Sequence, residues 1–208
     1  MKKLLFTLLT ISISSSLYAD AFKLMGGLNL QKYTATPKEE SIEWDYKMGY
    51  FVGGGFEFDI TESKMIAIEV DGLLLYKKGS KKESSDPTDP QFSYSLGTIC
   101  VPALARIKFK TDSPFYILGG GEASLVMSHK FEKKTGETAE KGDLKENTKT
   151  FDFGLVFGCG CEIKITHIQS LFIEGRYNLG LVNILKLSDE FESVKTNALL
   201  LILGIKTY

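Results

Sequence analysis

The 208-residue chain is 43% apolar and 25% charged, which excludes both a disordered chain and a helical membrane protein. Its 25 basic and 26 acidic side chains nearly cancel and are interspersed, so no basic stripe points to nucleic acid. The length suits one domain.

The first element is a predicted signal peptide over residues 1–19. Lys2 and Lys3 precede an apolar or small run from Leu4 to Leu17. Leu17-Tyr18-Ala19 offers cleavage before Asp20, and Ala19-Asp20-Ala21 offers a second site before Phe22. The run is short of the roughly 20 apolar residues that a membrane span needs. No cysteine lies near the cleavage site, so a lipid anchor is not expected.

Residues 20–208 show two-residue alternation in place of helical periodicity, with no apolar run approaching the ~18 residues of a transmembrane helix. Eight strands are predicted: Phe22–Tyr33, Tyr46–Ile60, Met65–Tyr76, Ser93–Lys110, Phe115–Ser128, Thr150–Lys164, Leu171–Leu181 and Asn197–Tyr208. In the second, Tyr46, Met48, Tyr50, Val52, Phe56 and Phe58 oppose Lys47, Gly49, Gly53, Gly55, Glu57 and Asp59, with Phe51 the one aromatic on the small or charged face. The sixth repeats the pattern, with Phe151, Phe153, Leu155, Phe157, Cys159 and Cys161 opposite Asp152, Gly154, Gly158, Gly160 and Glu162. The last is apolar on both faces, and Leu199, Leu201, Leu203 and Ile205 are placed outward. These strands are long, and a tilted membrane strand needs roughly 9–11 residues. The connectors alternate. Thr34–Asp45, Lys77–Gln91, His129–Lys149 and Asn183–Lys195 are long and charged, whereas Thr61–Lys64, Thr111–Pro114 and Ile165–Ser170 are short. The fold expected is an all-β, eight-stranded antiparallel up-and-down transmembrane β-barrel.

Orientation follows from residue type. Small residues suit the crowded interior of an eight-stranded barrel, and bulky aromatics suit a lipid-facing band. The glycine-rich face is also the charged face, so it is placed inward. The interior charge network then comprises Glu57, Glu69, Asp71, Arg106, Lys108, Glu122, Asp152, Glu162, Glu174 and Arg176, with Lys47, Asp59 and Lys164 on the same face. Buried charges must be paired, and Arg106 and Arg176 are the expected hubs because a guanidinium bonds carboxylates bidentately. Trp44, Tyr46 and Phe151 at the long-loop ends, with Phe58, Phe109 and Phe115 at the short-turn ends, form two interfacial belts. The same parity turns Tyr94, Phe172 and Tyr208 inward. Cys100, Cys159 and Cys161 lack the spacing of a disulfide framework or a metal site and are taken as small packing residues. No cofactor is expected.

Several segments resemble one family. Tyr46-Lys47-Met48-Gly49-Tyr50-Phe51-Val52-Gly53-Gly54-Gly55-Phe56 is similar to the glycine-rich second strand of the PorT-like outer-membrane β-barrel domain. Ile99-Cys100-Val101-Pro102-Ala103-Leu104-Ala105-Arg106-Ile107-Lys108 resembles its Leu-Glu-Ile-Pro strand. Pro114-Phe115-Tyr116-Ile117-Leu118-Gly119-Gly120-Gly121 is similar to its Pro-Tyr-hydrophobic-Gly strand. Leu171 to Leu181 resembles its Glu-x-Arg-Tyr strand, and Leu203-Gly204-Ile205-Lys206 its last. The resemblance implies an outer-membrane barrel of OmpA/OmpX type with no shared catalysis. Where the family has Glu this chain has Cys100, so one inner ion pair should be missing.

The function expected is a non-enzymatic, integral outer-membrane protein with a structural or surface-loop binding role. Its partners would be the lipid bilayer, the barrel-assembly machinery and a surface ligand or envelope protein at the long loops, with no nucleic acid. Both termini fall on the short-turn, periplasmic side. Two alternatives stand beside it. A lipid-modifying enzyme would have only Ser128-His129 to use, and these neighbours point to opposite faces of a strand. A soluble, lipocalin-like barrel would invert the two faces.

Overall fold

A computed structural model describes residues 19–36, 43–82, 91–109, 113–135, 138–145, 148–182 and 193–208. Residues 1–18 of the expected leader lie outside the described residues. Nine strands are present among those described: β1 (Ala21–Thr36), β2 (Glu43–Asp59), β3 (Ile66–Lys82), β4 (Gln91–Lys108), β5 (Phe115–Thr135), β6 (Thr138–Asp143), β7 (Phe151–Lys164), β8 (Gln169–Gly180) and β9 (Ser193–Thr207).

Every neighbouring pair is antiparallel. The order runs β4-β3-β2-β1-β9-β8-β7-β5-β6, and β4 also pairs with β5, so eight strands close on themselves. β6 is the ninth. It folds back on the upper part of β5, with Lys130 opposite Asp143 and Thr135 opposite Thr138. β7 pairs only with the lower part of β5, from Phe115 to Leu125. Closure removes the sheet edges and satisfies the backbone between strands, which is what hydrocarbon demands.

The strands run further into the long connectors than alternation predicts. β3 continues to Lys82, β5 continues through the expected loop start at His129 to Thr135, and β9 begins at Ser193. Above the apolar band both faces of these strands are polar, so pairing continues where the two-residue signal has vanished. One register shift, at Gly97/Thr98, sets Val126 opposite Thr98 and Ser128 opposite Gly97. Met127 is the extra residue, and the bulge moves the inward position from Ser128 to His129. His129 is therefore buried, and Ser128 is only partly so.

The two surfaces divide as glycine and charge imply. Leu24, Val52, Leu74, Phe153, Ile173 and Leu201 are among many large apolar side chains exposed on the outer wall, whereas Lys23, Glu69, Arg106, Arg176 and Lys206 are at most 2% exposed inside. A soluble barrel has the opposite arrangement. In β9, Leu199, Leu201, Leu203 and Ile205 face out. Cys159 and Cys161 lie on this outer wall and so face lipid, not a protein core; only Cys100 packs inside.

The interior is less purely charged than expected, and it holds aromatics: Phe51, Tyr116 and Phe172 are all buried. Glycine explains how they fit. Phe51 lies opposite Gly27, Leu73 opposite Gly53, Tyr116 opposite Gly160 and Phe172 opposite Gly204. A Cβ at Gly204 would fall 2.3 Å from the Phe172 ring, and one at Gly160 would fall 2.5 Å from Tyr116. At each of these four glycines the partner's side chain packs into the space a Cβ would take.

Candidate functional site

The side chains that could act on anything lie inside the barrel and at its long-loop mouth. The inner wall is built by strand parity, and its character changes along the axis.

Toward the short turns, a dense ion network fills the lumen. Arg106 donates to Glu57 at 2.7 Å, bonds Glu162, and lies 3.5 Å from Glu69. Arg176 donates to Asp71 at 2.7 Å and from its Nε to Glu174 at 2.7 Å, with Glu69 at 3.6 Å. Each guanidinium thus touches three carboxylates. Two lysines absent from the expected set complete the network. Lys23 donates to Glu69 at 2.5 Å and lies 3.3 Å from Asp71, and Lys206 donates to Glu57 at 2.6 Å. Both sit opposite apolar neighbours in β1 and β9, so parity alone could have found them. The Tyr116 hydroxyl donates to Glu174 at 2.7 Å, and its ring lies 3.9 Å beneath the Arg106 guanidinium. Tyr208 is 40% exposed at the rim while its hydroxyl bonds Glu162.

Apolar clusters flank the network. Met25, Phe51, Leu73, Leu75, Cys100, Phe172, Ala198, Leu200 and Ile202 form one; Leu104, Tyr116, Leu118 and Val156 form another. Together with the ion pairs they line the inner wall with packed side chains.

Three members of the expected network stand apart. Lys108 is half-buried and joins no ion pair among the described residues; it is the last inward position of β4, close to water at the barrel end. Glu122 and Asp152 are buried but bonded to neutral donors. Asn178 donates to Glu122 at 2.7 Å and Ser124 does so at 3.1 Å; Thr196 donates to Asp152 at 3.1 Å. Of the other inward-face charges, Asp59 pairs with Lys64 at 3.2 Å in the short turn, and Lys164 is exposed.

Near Glu122 and Asp152 lies a residue that the connector assignment hid. Lys77 is 3% exposed on the inner face of β3, where Cys100, Glu122 and Asp152 act on it electrostatically. It forms no ion pair among the described residues. Cys100 Sγ lies 3.0 Å from the Ser124 hydroxyl and 3.4 Å from the Thr98 hydroxyl.

The mouth is framed by the β5–β6 hairpin. His129 Nδ1 and the Thr148 hydroxyl are 2.7 Å apart, the Thr148 hydroxyl contacts the Leu144 carbonyl, and Lys145 reaches the Val126 carbonyl. These contacts fasten the segment that descends from β6 to β7. Burial pushes the His129 ring down to about 4, with Lys145 adding to the effect and Asp143 opposing it. A cleft of about 790 Å³ opens between the upper ends of β2 to β6, lined by Lys47, Tyr76, Lys78, Tyr94, Phe131 and Lys141 among others.

On the outer wall, Phe109, Phe115 and Phe151 are well exposed and Phe58 partly so, while the side chains of Trp44 and Tyr46 lie outside the described residues. Two outward ring pairs stand on the apolar wall: Tyr50 with Tyr76 at 5.2 Å, and Phe22 with Phe56 at 5.5 Å. Among the described residues no group of three or more metal-ligating side chains occurs.

The model of the outer membrane protein β-barrel domain family matches residues 20–186. Similar solved structures include neisserial surface protein A (17% identity, TM-score 0.43, 90% of this chain and 97% of that one). Others are Ail, the attachment invasion locus protein of Yersinia pestis (12%, 0.45, 89% and 97%), and the outer membrane protein OprG of Pseudomonas aeruginosa (12%, 0.46, 92% and 97%). No curated protein matches significantly. A family match over most of the chain agrees with a closed barrel that is apolar outside and charged within: the chain belongs to the outer membrane protein β-barrel domain family.

Proposed function

We propose that this protein is a non-enzymatic barrel of the bacterial outer membrane, closed by its own side chains, that meets other molecules at its long-loop end. The carrying observation is the packed inner wall: two arginines and two lysines locked to five carboxylates, with buried Phe51, Tyr116 and Phe172 beside them. An eight-stranded barrel is already narrow enough for side chains to fill. Binding would then fall to the mouth, where the β5–β6 hairpin and the cleft beneath it give a shaped, charged surface on a rigid scaffold. The long loops face outward in this reading, both termini face the periplasm, the leader directs export, and the assembly machinery reads the final strand. The ordered strand motifs favour a PorT-like relative.

Catalysis is disfavoured by the same geometry. A nucleophile and base need to be within hydrogen-bond reach. His129 engages Thr148, and strand alternation points it away from the neighbouring Ser128. Planar-bilayer recording tests the proposal: the purified protein inserts without a steady open conductance, and a stable ohmic pore would overturn it. A hydrolase assay on phospholipid and lipopolysaccharide is expected to give no turnover. Activity that disappears in His129→Ala would replace this reading with an enzymatic one.

A further inference from the structure

Most of the lining of the cleft at the upper ends of β2 to β6 stands on the outer face of those strands. Leu74 is exposed on the lipid-facing wall, so alternation carries Tyr76 and then Lys78 outward after it. Cross-strand pairing lays out two rows on the same face. Lys78 lies opposite Ser95, Ser95 opposite Lys130, and Lys130 opposite Asp143. One step higher, Ser93 lies opposite Glu132, and Glu132 opposite Lys141. All of these residues line the cleft of about 790 Å³. The bulge at Met127 aims two of them. Without the extra residue, alternation along β5 would turn Lys130 and Glu132 into the lumen.

The cleft begins where the apolar wall ends. The outward positions run Leu74, Tyr76 and Lys78 on β3, Ile99, Gly97 and Ser95 on β4, and Leu125, Met127 and Lys130 on β5. The change from apolar to charged or hydroxylic side chains therefore falls on one cross-strand row. That row is two residues above Tyr76, or about 7 Å along the strand. Lys78 Nζ lies 5.6 Å from the centroid of the Tyr76 ring. A residue at this height on the lipid-facing side meets headgroups.

The side chains give the headgroup's chemistry. Lys47, Lys78, Lys130 and Lys141 line the cleft against Glu132 and Asp143, an excess of positive charge in a chain whose formal charge is −1. Lys141 pairs with Glu132 at 3.7 Å, and Asp143 accepts from the Lys145 amide at 2.8 Å. Lys47, Lys78 and Lys130 form no ion pair among the described residues. Ammonium groups just above an apolar wall attract phosphate. Lys78 and Lys130 are rooted two strand spacings apart, roughly 10 Å, with Ser95 between them. The serine hydroxyls and the two carboxylates suit the hydroxyl groups of a sugar.

We propose that this outward cleft seats the phosphorylated sugar headgroup of an outer-leaflet glycolipid, whose acyl chains lie along the apolar wall below. The proposal rests on the reading that the long-loop end faces outside. That reading is tested separately: in intact cells, Ser93→Cys takes a membrane-impermeant maleimide that the parent protein does not take. Absence of labelling would put the cleft on the periplasmic side and overturn both.

The binding test uses the refolded full-length protein in maltoside micelles, which carry no phosphate. Native mass spectrometry and calorimetry follow lipid A, the same lipid stripped of its phosphates, phosphatidic acid and inorganic phosphate. Lipid A binds saturably, and the other three bind at least tenfold more weakly. Lys78→Gln with Lys130→Gln weakens lipid A roughly thirtyfold, the factor expected for two lysines at a charged lipid surface. The same charge change at the short-turn end, Lys64→Gln with Lys164→Gln, leaves binding unchanged. Heat-shifted gel mobility shows that both double variants are folded. Equal loss in the two double variants, or none in the first, would overturn the proposal. So would dephosphorylated lipid, phosphatidic acid or inorganic phosphate binding as tightly as lipid A.

Discussion

Arg106 shows how much depends on single side chains inside this barrel. Its guanidinium holds Glu57 and Glu162 and stacks on Tyr116, all of them buried. Arg106→Met strands carboxylates in a dry core, and breaking one side of a buried ion pair typically costs about 3–5 kcal/mol. Urea unfolding in lipid vesicles should read a loss of that size. Arg106→Met combined with Glu57→Gln should recover part of it, because one stranded charge is gone. Glycine gives a second contrast. Gly204→Leu must push into Phe172 and the Leu24 carbonyl and should destabilise by about 3 kcal/mol, whereas a Cβ at Gly175 meets nothing within 4 Å on the lipid-facing wall. Gly175→Leu should change stability by less than about 0.5 kcal/mol in the same assay. The hubs were legible from parity and guanidinium chemistry. The Gly–aromatic pairs were not, because which residues stand opposite each other depends on cross-strand register, and alternation within one strand carries no register.

At the scale of elements, the strands were legible wherever one face met lipid. That face demands apolar residues every second position, so β2, β7 and β8 announced themselves. Beyond the apolar band both faces are wet, and the β5–β6 hairpin read as a charged loop. The bulge at Met127 compounded this: it hides His129 inside, where parity had placed Ser128. The consequence is measurable. With its folded value at about 4 against an ordinary 6.5, the buried ring stays neutral while an unfolded one takes a proton. The folded value is depressed, so the latch contributes fully above about pH 6.5 and is lost as pH falls toward 4. The ring resonance of His129 should titrate with a midpoint near 4, and amides of β6 should exchange faster at pH 4.5 than at 7.5 after correction for intrinsic rates. A midpoint near 6.5 would mean an exposed ring and an unfastened hairpin.

For the molecule as a whole, the decisive property is which side of the wall is wet. Closure of eight strands satisfies the backbone, the outer wall exposes leucine, isoleucine, valine and phenylalanine over its height, and the inner wall carries charges that pair with one another. Exposed apolar surface on this scale is stable only in lipid. The fold class was legible because those constraints act on every strand. The buried position of Lys77 was not, because strand alternation fades at its height and the charged residues that follow read as a loop. Membrane fractionation joined to gel mobility tests the wet-inside arrangement. The protein should stay with the membranes through high salt and alkaline carbonate, and should migrate faster before boiling than after it. Release into buffer without detergent, with mobility unchanged by heat, would contradict a lipid-embedded barrel.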